Sequence, residues 1–444
     1  MENKLLEAVK SAGIVGAGGA GFPTHVKLNA KAEYIVVNGA ECEPLLRVDQ
    51  QLMALKTREI LEVLNRIVKE TGAKKGIVAL KGKYKDALES LDKYIHQYES
   101  LDIFKLGNFY PAGDEQVTVY EVLKRIVPEG GIPLGVDVIV INVETLLNVY
   151  NALKGVPVTE KYLTVTGAVK KPVTVRVPIG ITIAQAIDLA GGALVEDFQV
   201  IDGGPMMGKV IDDIENPVTK TTKGLIVLPE EHPLIKSKYK SIKRMLKEAR
   251  TACCHCSLCA EVCPRNLLGH KLHPDKIMRT ASYGSTCDPN TSITEAFLCC
   301  ECGLCEQACI MGLQPWKLNK LLKSQMSQQG IKNDNNRKPV ETNPFREYRK
   351  FPVKKLVARL GLEKYDVEAP LQEEITKEFK TVKVNRRQHI GASAEPIVKV
   401  GDKVTRGQLI LEVPGDRLGA KIHSSIDGWI EEIQDDYVVI SNYQ

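Results

Sequence analysis

The chain has 444 residues, 43% hydrophobic and 26% charged, a globular balance that excludes a disordered or fibrous protein and exceeds what one core can hold. A formal net charge of +5 is modest for this length, and with lysines scattered over polar helix faces it makes no case for nucleic acid. No apolar run approaches the ~18 residues of a membrane helix and the first residues lack a signal peptide's build, so the expected location is cytoplasmic, or peripheral at a membrane at most.

Residues 5–12 read as a helix and lead into Gly16-Ala17-Gly18-Gly19-Ala20-Gly21, a literal G-x-G-x-x-G. A dinucleotide fingerprint must follow a strand, and here the first strand, Tyr34-Ile35-Val36-Val37, comes afterwards. The loop runs instead toward a short helical stretch at 24–28. Its bare N–H groups can serve a phosphate, with Lys27 as counter-charge; a tight turn between helices is the other reading. An amphipathic helix over 50–69 separates the first strand from a second at 76–80, and Val138-Ile139-Val140-Ile141 supplies a third. Continuous Val/Ile strands between helices predict a parallel sheet covered on both faces.

From Glu160 a β-hairpin over 162–167 and 173–178, with a short helix over 183–190, makes a small β-grasp-like unit. A turn-rich loop over 202–208 returns to a strand at 224–228. Residues 236–327 read as helical and cysteine-rich, 328–336 has linker composition, and from about Thr376 short alternating strands predict a compact β-sandwich.

The cysteines concentrate between Cys253 and Cys309, which in a reducing compartment points to metal rather than disulfides. Cys253, Cys256, Cys259 and Cys263, followed by Pro264, reproduce the C-x2-C-x2-C-x3-C-P run of bacterial ferredoxins. Cys299, Cys302, Cys305 and Cys309 repeat it, with Ile310 in place of proline. In two-cluster ferredoxins the fourth cysteine of each run ligates the other cluster. One [4Fe-4S] cluster is therefore assigned to Cys253, Cys256, Cys259 and Cys309, and the second to Cys299, Cys302, Cys305 and Cys263. Structural zinc takes paired C-x2-C arms and four ligands, and would leave a member of each run unneeded. Registers beginning at Cys254 and Cys300 fail at Ser257 and Gly303, so those two read as spare. Cys42 and Cys287 read as isolated buried thiols, and His270, His273, His389 and His423, without ligand spacing, as surface or hydrogen-bonded residues.

Four stretches in order, 16–24, Asn38-Gly39-Ala40-Glu41-Cys42-Glu43-Pro44, Tyr110-Pro111-Ala112-Gly113-Asp114-Glu115 and Asn142-Val143-Glu144-Thr145, resemble the FMN and NADH site of the 51 kDa subunit of respiratory complex I. The chain more closely resembles the RnfC family, and within it the PduS (cobalamin reductase) and PrdC (proline reductase electron carrier) branches. The resemblance covers essentially the whole chain and implies a multidomain α/β protein. Its expected parts are an FMN/NADH-binding domain over 1–155, an SLBB β-grasp domain over 156–235, a helical two-[4Fe-4S] ferredoxin-type domain over 236–327, a linker and helical segment over 328–375, and a barrel-sandwich hybrid domain over 376–444.

Carried over position by position, the resemblance implies FMN among Gly18, Gly19, Gly21, Lys27, Asn38, Glu41 and Asn142, with Gly16 and Gly113 in the same cofactor loops. Phe22, Glu43, Tyr110 and Glu115 would face the nicotinamide nucleotide; aromatic rings offer stacking faces and carboxylates accept from ribose hydroxyls. Ala17 and Ala40 depart from the arginine and aspartate of the 51 kDa protein. The C-terminal strands resemble a biotinyl or lipoyl fold, but their hairpin tip, Ser424-Ser425-Ile426-Asp427, has no lysine to modify and reads as a docking or structural module.

The implied activity is NADH-dependent electron transfer through FMN and two clusters to a partner protein or cobalamin, with no catalytic side chain named. The implied setting is the cytoplasm, a bacterial microcompartment or the periphery of a membrane. An NADH-oxidising subunit of a membrane ion pump, and a carrier or scaffold without catalysis, are the competing readings.

Overall fold

A computed structural model describes residues 4–283, 293–374 and 377–443; Cys287 lies outside them. Strands β1 (Tyr34–Gly39), β2 (Lys75–Lys81), β3 (Leu101–Leu106) and β4 (Val138–Asn142) form a wholly parallel sheet in the order β3-β2-β1-β4. Alternate residues enter opposite cores. Ile35, Val37, Val78, Leu80, Ile139 and Ile141 pack into one, and Val36, Ala79, Val138 and Val140 into the other, so the strands read as unbroken apolar runs. The helix expected over 50–69 is two, Val48–Leu55 and Thr57–Thr71. The Thr57 hydroxyl donates to the Met53 carbonyl at the break, a side-chain bond that competes with the helical ladder.

The next sheet contains β5 (Glu160–Gly167), β6 (Val173–Pro178), β7 (Phe198–Asp202), β8 (Lys209–Ile211) and β9 (Gly224–Pro229). β5 pairs antiparallel with β6 and parallel with β9, which pairs in turn with β7. The helix Ile183–Leu189 is closed at its start by a reciprocal Thr182–Gln185 capping box. Helices Ile242–Ala252, Pro274–Tyr283 and Pro315–Gln328 surround Met245, Ala249, Leu272, Ile277 and Leu318 and hold the cysteine loops.

The stretch after Gln328, expected as a linker, is a strap laid across the first domain. Arg337 pairs with the buried Glu129 at 2.8 Å, Arg346 with the buried Glu121 at 2.5 Å, and Phe351 adds a backbone pairing to Tyr110. Its polar composition conceals this because the partners that order it are carboxylates more than 200 residues away.

The C-terminal strands form two small sheets over a core of Val382, Val384, Ile410, Leu411, Ile430 and Ile440. Their hairpin tip is buried, not extended. Ser425 Oγ donates to the Ile179 carbonyl at 2.5 Å, and Arg406 pairs with Glu160 at 2.7 Å, both on the β-grasp unit. Lys220 joins three parts at once, donating to the carbonyls of Gly13 and Lys421 at 2.7 Å each. Among the described residues no helix is long and apolar enough to cross a membrane.

Candidate cofactor site

Asn38 and Asn142 are register partners at the carboxyl ends of the neighbouring strands β1 and β4, the edge at which open parallel sheets take ligands. Asn142 caps the helix Val143–Ala152, accepting from the Glu144 and Thr145 amides, and its own amide donates to Asp49 at 2.9 Å. Asn38 donates to the Gly113 carbonyl at 2.7 Å. These residues line a cleft shared with Gly18, Glu41, Cys42, Glu43, Tyr110, Met207, Lys223, Cys300 and Cys302. Sequence-expected flavin residues therefore line the same cleft as Cys302 of the second run and its neighbour Cys300.

The carboxylates have structural partners inside the protein. Glu41 accepts from the Asp49 amide at 2.8 Å and from Gln50, at the start of the helix Val48–Leu55; burial pushes its pKa up. Glu43 accepts from the amides of Met206 and Met207 at 2.8 and 3.0 Å, fastening the turn-rich loop over the cleft, and burial raises it too. The Cys42 thiol accepts from the Gly113 amide at 2.6 Å and is pushed up to about 11 by burial.

Other expected residues lie elsewhere. Lys27 and Glu115 pair with each other at 2.9 Å, Lys27 also donating to the Val140 carbonyl, and neither lines the cleft. Gly21 packs on the backbone of Gln388 and His389, where a Cβ would sit 3.0 Å from His389 Cα at a φ of +73°. Gly16 closes the turn by donating to the Phe22 carbonyl; Phe22 is 36% exposed, and Gly19 faces open space. Ala17 is buried, its amide donating to Thr145 at 3.0 Å. Of the glycines in that loop, Gly18 alone lines the cleft, against Asn142.

Two residues the sequence did not announce are central. Asp49 is buried, pairs with Lys223 and accepts from Asn142 through Oδ2, while its Oδ1 has no hydrogen-bond partner among the described residues. Burial alone would depress the Lys223 ammonium, but Asp49 and Glu41 outweigh it and hold the group above its ordinary range. A buried acceptor aimed into a cleft and backed by a cation fits a flavin, which presents N–H and ribityl O–H donors. Asp49 and Lys223 stand 174 residues apart, so no local pattern marks them.

The two cysteine loops share one backbone form. His255 and Ser257 take φ of 56° and 60°, and Glu301 and Gly303, at the matching positions, 57° and 75°. Such alternation turns successive N–H groups inward into an anion-binding nest of the kind that receives iron-sulfur clusters. Burial pushes the Cys259 and Cys263 thiols up, and neighbouring cysteines add to it, Cys309 and Cys256 at the first and Cys300 and Cys299 at the second. Burial pushes the Cys305 thiol well up, and Cys299, Cys259 and Cys263 add to it. Among the described residues no three such side chains converge tightly enough to hold a single ion; a cubane, with iron at four corners, takes its thiolates wider apart. Cys300, expected as spare, is a free thiol hydrogen-bonded to Cys302, which holds it below the usual thiol range, and it lines the cleft.

Two contacts clamp this loop region to the cleft. Tyr110 Oη donates to the Cys302 carbonyl at 2.8 Å. Arg265, next to Pro264, forks onto Asp114 at 2.6 and 2.9 Å; burial alone would raise the Asp114 carboxyl, and Arg265 outweighs it and holds it low. The four histidines are placed as follows: His270 faces the Val127 carbonyl at 2.9 Å, His273 faces Glu295 at 3.2 Å, His389 accepts from Ala420, and His423 is buried.

Comparison with known proteins places a Nuo51 FMN-binding domain at residues 9–151, an SLBB domain at 162–210, a 4Fe-4S dicluster domain at 252–314 and an RnfC barrel sandwich hybrid domain at 368–443. The chain is 43% identical over 439 residues to the cobalamin reductase PduS of Salmonella typhimurium, spanning 99% of this chain and 96% of that protein. It is 43% identical over 440 residues to the PduS of Citrobacter freundii, spanning 98% and 96%. A component of the Na(+)-translocating ferredoxin:NAD(+) oxidoreductase complex of Acetobacterium woodii is 36% identical over 269 residues, covering 59% of this chain and 58% of that one.

Proposed function

The chain belongs to the PduS family of RnfC-like, NADH-oxidising FMN and iron-sulfur oxidoreductases, and on that footing we propose that electrons enter at the cleft from NADH and leave through the two cysteine loops to an acceptor outside the chain. The observation that carries this reading is that Asn38, Asn142 and Asp49 line one cleft together with Cys300 and Cys302. The chemistry a bound FMN supplies is the conversion of a two-electron hydride donor into one-electron steps.

The protein's own part is positioning. Gly18, Asn38, Asn142 and Asp49 would hold the flavin, with the Lys223 cation beside it. Glu43 keeps the Met206-Met207 loop over the cleft, which narrows solvent access. Tyr110 fixes the second cysteine run against the cleft, and Arg265 fixes the end of the first run against Asp114 of the cleft's lining. The two sets of four thiolates would be Cys253, Cys256, Cys259 with Cys309, and Cys299, Cys302, Cys305 with Cys263. The names of the relatives make a corrinoid the first acceptor to test and a partner protein the second.

Protein reconstituted anaerobically should bind about one FMN and about eight irons, and NADH should bleach the flavin band. A flavin that NADH leaves unbleached would end the NADH-oxidising reading in favour of a carrier.

A further inference from the structure

The lysines that look scattered along the sequence are gathered by the fold. Residues 236–250 hold seven Lys and Arg against one acid, Glu248, and helix Pro315–Gln328 holds three lysines and no acid. Together they exceed the chain's formal net charge of +5, so the rest of the molecule is net negative. These segments meet β8 around a concave cleft of about 500 Å³, with Lys209 and Lys320 at its sides and Trp316 and Tyr239 in its wall. Some of the charge is structural: Lys317 donates to the carbonyls of Ser237 and Lys238, and Lys240 pairs with Glu248. Lys209 is exposed with no ion-pair partner among the described residues, and Lys320, 52% exposed, reaches Glu301 only at 3.5 Å.

The helix that lines the cleft also reaches the second cysteine loop. Trp316 Nε1 donates to Glu306 at 2.6 Å, next to Cys305, and Lys323 bonds Glu301 at 3.0 Å and the Cys299 carbonyl. The cleft lies beside the second run, bounded by the helix that follows that run.

We propose that this cleft is the docking surface for a small acidic redox protein. In naming a redox protein it rests on the electron-transfer reading above. An aromatic centre inside a lysine rim suits a short-lived, charge-steered encounter, in which complementary potentials set the association rate more than the buried area does. An anionic bilayer would also attract lysines, but it is flat and cannot enter a concave site.

The test is calorimetric titration of the FMN- and iron-loaded protein with an acidic flavodoxin at low and at raised ionic strength, beside anionic phosphatidylserine vesicles. Binding should weaken as salt rises and fall about tenfold or more in the double variant Lys209→Glu, Lys320→Glu. NADH-dependent reduction of ferricyanide, which needs no docking surface, and the iron content should be unchanged in that variant. Flavodoxin affinity indifferent to both salt and charge reversal overturns the proposal, as does binding of the vesicles with none of flavodoxin. Loss of the ferricyanide reaction in the parent protein would instead count against the NADH reading, whatever flavodoxin does.

Discussion

Asp49 is the residue on which the cleft most depends, because it is buried against a cation and an amide and still holds one oxygen without a partner among the described residues. Replacing it with asparagine removes the carboxylate that pairs with the buried Lys223, leaving only the more distant Glu41 charge, and exchanges a charged acceptor for a neutral amide. FMN affinity of Asp49→Asn, read by quenching of flavin fluorescence, should drop about tenfold or more. Equal affinity in the two proteins would remove Asp49 from the site.

Lys220 offers a pH test of a different kind. It is buried, its ammonium is pushed down to about 7 by burial, and its partners are neutral carbonyls. Between that value and the ordinary 10.5 the unfolded chain binds the extra proton, so stability contributed through this group rises with pH across the window, and the cost is fully present at pH 7 and below. Comparing the stability of the protein and Lys220→Met in urea, the gap should move in favour of the lysine form as pH rises, by about 5 kcal/mol in all. A gap that stays flat with pH would mean that Lys220 keeps its charge.

At the scale of elements, the cysteine loops were legible and the strap was not. A ligand run is local: three-residue spacing fixes which thiolates can meet one cubane, and the repeated left-handed pairs at 255/257 and 301/303 follow the repeated sequence. Serine at Cys256 or at Cys302 should each lower bound iron from about eight to about four while NADH still bleaches the flavin. Iron that stays at the parent level in both variants would undo the ligand assignment. The strap, by contrast, carries no apolar period; it is held by Glu121 and Glu129, whose role no window of sequence could show.

The same contrast holds inside the cleft. Asn38, Glu41 and Asn142 sit in motifs that could be matched by eye, and the sheet edge does bring them together. Asp49 and Lys223, like Cys300, acquire their place only when three separate segments fold onto one another. Lys27 and Glu115 show the converse: each is plausible alone as a contact to a bound anion or ribose, yet across 88 residues they are bonded to one another.

For the whole molecule, relative domain placement rests on few but buried contacts. Tyr110 to Cys302 and Arg265 to Asp114 join the sheet domain to the cysteine loops. Removing one partner of a buried charge pair is strongly destabilising, so Arg265→Gln should cost about 3–5 kcal/mol and release the two parts from each other. Limited proteolysis should then cut between them at a urea concentration the parent resists. An unchanged cleavage pattern would show that the clamp is dispensable.

The buried tip of the C-terminal hairpin has a consequence for what that domain can do. Arms of that architecture ordinarily ferry a group from one centre to another by reaching, and here the reach is cancelled by the Ser425 bond to Ile179. A tip fastened in this way leaves the hairpin to join domains rather than to carry a group between centres, the part of a brace.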